Sequence, residues 1–514
     1  MKNTIQKIGM VLFLLAFFAN ITAWETGTKK LETRMNVLFI AVDDLKPNLG
    51  CYGNSLAITP NIDFLASNGT IMTANYCQQA VCAPSRISLF TGMRPDYTGI
   101  LDLQTNMRDI NPEILTLPEF FKNQGYVTAG FGKLMHGAKR NDPQSWSVPY
   151  MENDKLTYAD GFDYPANGRY QSPASHKIYQ QAMDENLNWK ETNDLMKAKG
   201  VSPASEFLDV PDDAYTDGAI ANEGIKLLEK FSKIEKPFFL ALGFMKPHLP
   251  FVAPEKYLAL YENTAFELAP FREKASNSPD IAYTTWGELR GYSDIPSRGA
   301  LSDEKQLELI QAYYASVSYV DAQIGKVYRK LEELGMADNT IIVLWGDHGW
   351  HLGDHGLWCK HTNFEQATHA PLIFSAPGFK GKQVSNSMTE FVDIFPTLCE
   401  LTGMEEPAGL EGMSLVPVLQ NPENKVKEYS ISQYPRSGDI MGYSLRTGQY
   451  RLTWWIKNYS DKSAVYEVYA RELYDYKKDP DETVSVSGDK DYKNVEYQLS
   501  KKMKDYLDRR KFSD

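Results

Sequence analysis

Four short, mainly apolar runs punctuate the chain, and each stops at ionisable residues. The first, Asn36–Val42 (NVLFIAV), ends in Asp43 and Asp44. Residues 126–131 lead to Gly132, Lys133 and His136, residues 237–244 to Lys246, Pro247 and His248, and residues 341–345 to Asp347 and His348. Runs that are apolar nearly throughout, rather than at alternate positions, predict strands buried on both faces of a parallel sheet. Between them, residues 118–123, 217–230 and 304–334 carry apolar side chains at helical spacing. This alternation predicts a doubly wound α/β sheet, in which ligands bind beyond the carboxyl ends of the strands. The four charged endings fall there and form one candidate site.

The pattern differs elsewhere. Residues 81–92 (VCAPSRISLFTG) predict a helix beginning near Pro84, with Cys82 at its positive end, a position that favours an anion or an activated nucleophile. A small buried cysteine in a turn is the plain alternative. Residues 141–209 are polar and lack sustained periodicity, so they read as surface loops and insertions, either a substrate-facing rim or solvated chain. Residues 250–296 hold five prolines and several aromatics that could wall a pocket. From about residue 408 the runs become short and aromatic or β-branched, at 429–432, 443–446, 450–456 and 472–476, followed by a helix at 495–510. These predict a C-terminal antiparallel-sheet subdomain over 408–514, after a main domain of 34–407.

Composition narrows the class. At 514 residues and 43% hydrophobic content the chain can bury one large core plus a smaller domain. A formal net charge of −12, with no block of lysine or arginine, argues against nucleic acid as a partner. Lys2 and Lys7 precede an apolar run at 10–19 and small residues around Ala23, which predicts a signal peptide over 1–23 and an exported protein, periplasmic or secreted. No cysteine lies near that cleavage point and no later run approaches the roughly 20 apolar residues of a membrane span, so no membrane anchor is predicted. The cysteine count is 5; with Cys82 set aside, Cys51, Cys77, Cys359 and Cys399 could pair in three ways or not at all.

The candidate chemistry follows from residue types. Asp43, Asp44 and Asp347 are hard oxygen donors and His348 adds an imidazole, a set that implies a divalent cation such as calcium or magnesium. Arg86, Lys133, Lys246 and Lys360 supply positive charge, and His136 and His248 can transfer protons. A metal with several cations matches a bound oxyanion ester, with Cys82 at the point of attack. The histidines at 348, 351, 355, 361 and 369 raise zinc as a rival, but their spacing fits neither HExxH nor a paired CxxC ribbon, and hydrogen-bonded loop residues are the better reading. Trp345, Trp350 and Trp358 read as packing residues rather than a sugar platform.

Residues 82–92, CAPSRISLFTG, fit the signature CxPSRxxLxTG, and the chain resembles the sulfatase family. The other family positions match Asp43 and Asp44, Lys133 and His136 of GKLMH, His248 of KPHLPF, Asp347 and His348, and Lys360. QQAVCAPSR, TGMRPD, KPHLPF and the stretch DHGWHLGDHGLWCKHTNFEQATHAPLI resemble the iduronate-2-sulfatase branch more than the arylsulfatases, which usually place one residue rather than two between the lysine and histidine of the second motif. The resemblance spans roughly residues 36–476 and is weakest over 141–209 and the C-terminal subdomain. It implies an alkaline-phosphatase-like fold: a large mixed, mostly parallel sheet sandwiched by helices. It implies Ca2+, with Mg2+ less favoured, held by Asp43, Asp44, residue 82, Asp347 and His348. Cys82 would be oxidised to Cα-formylglycine by a formylglycine-generating or anaerobic maturing enzyme. Its hydrate would attack sulfur while Arg86, Lys133 and Lys360 neutralise the sulfate oxygens. His248 would protonate the leaving oxygen or hold the sulfate, and His136 or Asp43 would assist release. The implied substrate is a sulfated oligosaccharide, foremost the 2-O-sulfate of iduronate or an unsaturated hexuronate. Another sulfated polysaccharide, or a phosphonate or phosphate monoester, is the alternative.

Overall fold

Seven strands form the central sheet of the computed structural model, which describes residues 34–136, 142–460 and 467–510. They are β1 (Asn36–Val42), β2 (Thr70–Met72), β3 (Val127–Gly132), β4 (Phe238–Phe244), β5 (Thr340–Gly346), β6 (Leu372–Ser375) and β7 (Gln383–Ser385). Their order is β7-β2-β6-β5-β1-β4-β3. All are parallel except β6, which runs against both β5 and β2. The sheet is therefore mixed and mostly parallel, as the family resemblance implied. The predicted signal peptide, residues 1–23, lies outside the described residues.

The four strands that end in charged residues are neighbours, β5-β1-β4-β3, and their ends are flush. Val42 pairs with Phe244 on one side and Gly346 on the other, while Gly132 pairs with Gly243. Parallel register thus delivers Asp43, Lys133, Met245 and Asp347 to one edge as a row.

The helices that accompany the sheet include α1 (Pro60–Ser67), α2 (Cys82–Thr91), α3 (Leu117–Asn123), α4 (Pro173–Asp184), α5 (Trp189–Ala198), α6 (Thr216–Phe231), α7 (Asp303–Glu333) and α8 (Lys493–Arg510). Successive strand residues face opposite sides. Leu38, Ile40 and Val42 join a core with Ala219, Ile220 and Leu228 of α6 and Leu309, Val317 and Val320 of α7. Phe39 turns to the other face, 5.7 Å from the ring of Phe90 in α2 and 5.6 Å from Trp345. Burying a side chain of this size contributes about 1.5–3 kcal/mol. Trp345, Trp350 and Trp358 are all buried, as packing residues should be.

The C-terminal strands β8 (Tyr429–Arg436), β9 (Ile440–Thr447), β10 (Tyr450–Lys457) and β11 (Glu467–Asp475) form an antiparallel sheet in that order. Leu499, Met503 and Leu507 of α8 share a core with Leu445, Leu452 and Trp454. Strand β8 reaches the segment before α2: Gln433 donates its N–H to Gln78 O at 2.7 Å, and Ser432 Oγ donates to Cys77 O at 2.6 Å.

One expectation is corrected. Residues 141–209 are not loops alone, because α4 and α5 lie within them, and Ser205–Leu208 pairs in parallel with Phe251–Pro254. Both helices bury only two residues each, so their apolar spacing is faint, while Asn188 opens α5 with a capping box to Glu191. The cysteines of the chain are all free thiols. Among the described residues no helix is long and apolar enough to cross a membrane.

Candidate active site

Helix α2 brings Cys82 to the row of strand ends as its first residue. All ten residues of this helix are buried, and it stops at Gly92, which adopts φ 67°. Cys82 Sγ lies 3.3 Å from Lys133 Nζ and 3.4 Å from His348 Nε2. Burial pushes its thiol well above the ordinary value, and Lys133 and Lys360 do not reverse this.

The turn after β3 is shaped by glycine. Gly132 has φ +72°, and a Cβ on Gly243 would stand 2.2 Å from the Lys133 carbonyl. With no side chain at either position, the Lys133 N–H donates to Gly243 O at 2.8 Å and its ammonium reaches Asp43 Oδ2 at 2.6 Å. Asp44, at φ 59°, is a non-glycine residue in the left-handed region, held by its N–H bond to Asp347 Oδ1 at 2.9 Å and by the Tyr313 hydroxyl of α7, which donates to its carbonyl.

Arg86 lies one turn along α2 from Cys82 and is fully buried. Its Nε donates to Asp347 Oδ2 and Nη2 to Asp43 Oδ1, each at 2.9 Å, while Nη1 donates to the carbonyls of Lys133 and Leu134. These bonds orient two carboxylates and the turn carrying Lys133. Arg86 does not line the cavity described below, and its bonds in this structure go to Asp43, Asp347 and the turn carrying Lys133.

Lys360 Nζ bonds both carboxylate oxygens of Asp44, at 2.9 and 3.0 Å, and lies 3.1 Å from Glu288. His248 Nε2 is 3.0 Å from Glu288 Oε1, and its Nδ1 faces the Leu249 carbonyl. Lys246, also proposed from sequence, braces that loop by donating to the carbonyls of His248 and Pro250 at 2.6 Å each. Burial lowers its ammonium to about 8. Burial and the neighbouring Lys133 push the His136 imidazole down to about 3, and its buried Nδ1 has no hydrogen-bond partner among the described residues.

The carboxylates fit a hard divalent cation. Ligand atoms of Asp44, Cys82, Asp347 and His348 all lie within 4.8 Å of one another, and Asp43 and Asp44 also group with His248. His348 Nδ1 faces the Gly349 carbonyl at 2.9 Å, which turns the Nε2 lone pair toward Asp44 Oδ1 at 3.4 Å and Asp347 Oδ2 at 3.6 Å. Burial pushes the Asp43 carboxyl up, but Lys133 and Arg86 override it and hold the group well below the usual carboxylate range. Asp44 goes the other way, raised by burial against a weaker pull from Lys360.

Above this floor opens a cavity of about 700 Å³, lined by Cys82, Lys133, His136, His248 and Lys360. Its walls are residues that no motif flagged: Arg169, Trp189 and Lys197 from the polar insertion, and Glu288 and Tyr292 from the proline-rich segment. The insertion thus meets the site as a rim, and the proline-rich stretch does wall it. The remaining histidines are mostly hydrogen-bonded: His351 to Asp354 and Thr362, His355 to the Glu482 carbonyl, and His369 to the Thr73 carbonyl.

A family model described as Sulfatase matches residues 35–404, and one described as N-sulphoglucosamine sulphohydrolase, C-terminal, matches 353–509. The chain is 34% identical over 532 residues to iduronate 2-sulfatase of Homo sapiens, covering 89% of this chain and 92% of that one. A solved structure in complex with its substrate D-glucosamine-2-N,6-O-disulfate matches with TM-score 0.69 at 23% identity, over 94% of this chain and 99% of that one. The phosphonate monoester hydrolase of Agrobacterium radiobacter matches with TM-score 0.68 at 21% identity, over 93% and 96%. The last two share the fold, which by itself leaves the ester open. The family match across the catalytic region and the identity sustained over nearly the whole chain decide it: this protein belongs to the sulfatase family and is a sulfuric ester hydrolase.

Proposed function

We propose that the protein removes the 2-O-sulfate of a uronic acid, iduronate or an unsaturated hexuronate, from glycosaminoglycan fragments. The observation that carries the chemistry is Cys82, buried between Lys133 and His348 on the floor of a cavity whose lining also holds Lys360, His136 and His248. The similarity to iduronate 2-sulfatase supports the sugar.

Oxidised to Cα-formylglycine by a maturing enzyme, residue 82 would supply a hydrated aldehyde as nucleophile toward sulfur. A Ca2+ ion held by Asp43, Asp44, Asp347 and His348 would polarise a sulfate oxygen. The chain's own residues do the rest. Lys133 and Lys360 face residue 82 and the carboxylates, where they neutralise the charge that grows on sulfate oxygens. His248, with Nε2 directed toward the cavity side of Asp44 and Glu288, passes a proton to the leaving sugar oxygen. Neutral His136 beside Lys133 accepts the proton that release of sulfate requires. Arg86 keeps Asp43 and Asp347 in place throughout. Export follows from residues 1–23 and is checked by cell fractionation.

The test uses purified mature protein on a 2-sulfated uronate disaccharide. Cys82→Ala, or removal of divalent cation with a chelator, is expected to lower sulfate release by at least 10³-fold, a loss typical of removing a nucleophile or its electrostatic partner. Undiminished release in either arm contradicts the mechanism, and preference for a phosphonate or phosphate ester contradicts the reaction class.

A further inference from the structure

Trp189 is the first residue of α5 and is 68% exposed, the most exposed large hydrophobic side chain of the described residues. It stands beside the sulfate-binding floor: it lines the main cavity and also a smaller lobe of about 230 Å³, together with Arg169, Met245 and His248. Its place is fixed. Asn188 accepts the N–H groups of Lys190 and Glu191, and the Glu191 side chain bonds back to Asn188.

Arg169 packs over this ring, with Cζ 5.9 Å from its centroid, and Nη1 donates to Asn193 Oδ1 at 3.1 Å. Other cavity cations have their partners. Lys133 meets Asp43, Lys360 meets Asp44 and Glu288, Lys190 meets Asp194 at 2.6 Å, and Lys197 donates to the Arg290 carbonyl at 2.6 Å. The guanidinium of Arg169 has no carboxylate partner among the described residues, although it carries five N–H donors in a fork that matches a carboxylate. A cation left without an anion in a cavity wall is an anion site. The flat indole next to it offers an apolar face to a sugar ring.

We propose that Arg169 binds the carboxylate of the sulfated uronate and that Trp189 stacks on the adjoining sugar, so that the junction of the two lobes selects uronate-containing substrates. The proposal rests on the uronate-sulfate reading above. Carbons 2 and 5 of a pyranose lie on opposite sides of the ring, so a sulfate on the floor sends the carboxylate away from Cys82, into the cavity that Arg169 also lines.

The experiment pairs each enzyme with two substrates: the 2-sulfated uronate disaccharide and the same disaccharide with its carboxyl reduced to hydroxymethyl. Wild type is expected to prefer the uronate by about tenfold to a hundredfold in kcat/KM, mostly through KM, as a charge-assisted bidentate contact does. Arg169→Gln is expected to lose that preference, and Arg169→Lys to recover part of it. Trp189→Ala is expected to raise KM for both substrates alike. Thermal unfolding of each variant confirms folding. A preference that survives Arg169→Gln overturns the role of Arg169, and an unchanged KM in Trp189→Ala overturns the stacking. If wild type releases no sulfate from either disaccharide but does so from another sulfated sugar, the uronate reading itself has failed and this proposal falls with it.

Discussion

Glu288 stands between Lys360 and His248. It lies 3.1 Å from Lys360 and 3.0 Å from His248 Nε2. Burial pushes its carboxyl up, but Lys360 and His248 outweigh that and hold it well below the usual range, so it is an anion at working pH. Glu288→Gln leaves the shape and removes the charge that aligns both partners. Steady-state kinetics are expected to show kcat lowered by about 10–100-fold, the size typical of removing a residue that orients catalytic groups, with little change in thermal stability. No change in kcat would mean that Lys360 and His248 are held well enough without it. Glu288 also marks the limit of what the sequence discloses. Asp43, Asp44, Lys133, Asp347 and His348 are legible because each abuts an apolar strand, so that strand register alone brings them together. Glu288, Arg169 and Trp189 arrive from irregular or insertion segments, where no period fixes direction and long-range folding decides position.

Among the elements, the four strands with charged endings were legible, whereas the insertion helices and strands β2, β6 and β7 were not. A strand covered on both faces must be apolar throughout, whereas α4 and α5 bury two residues each and stay polar elsewhere. The sheet's one reversed strand, β6, was invisible to the apolar pattern, since strand direction leaves no local mark. Contacts between elements concentrate at Glu365, which follows the histidine-rich loop and meets the C-terminal sheet. Arg446 Nε of β9 donates to it at 3.0 Å, Arg451 Nη2 of β10 donates to the same oxygen, and the Tyr76 hydroxyl donates to the other at 2.8 Å. Burial pushes Glu365 up, but Arg446 and Arg451 hold it well below the ordinary 4.5. A carboxylate depressed in the folded state stabilises fully above its unfolded value and loses that contribution as pH falls toward the folded one. Glu365→Gln is therefore expected to cost about 3 kcal/mol above pH 4.5, with the gap to wild type narrowing as the medium is acidified below it. Denaturant titrations at several pH values measure this; a gap independent of pH would show that the charge is not what matters.

On the scale of the whole molecule, a chain of formal net charge −12 sets Lys133, Arg169, Lys190, Lys197 and Lys360 around one cavity, a local concentration of positive charge on an otherwise acidic protein. The same architecture imposes an order of events on maturation. Cys82 is 2% exposed, and every residue of the helix it begins is packed against neighbours. An enzyme acting on Cys82 needs access to its side chain, which the packing of α2 in the folded protein withholds. On the formylglycine reading proposed above, conversion of Cys82 belongs to the time before folding, and a molecule that folds first would stay unconverted. Mass spectrometry of the Cys82 peptide is expected to find aldehyde after a maturing enzyme meets the unfolded chain and none after it meets the folded one. Equal conversion of both would show that helix α2 opens far more readily than its packing implies. On that proposal the fraction of active protein in a cell is set by a race between folding and oxidation, and the close packing that builds the site also sets the deadline for arming it.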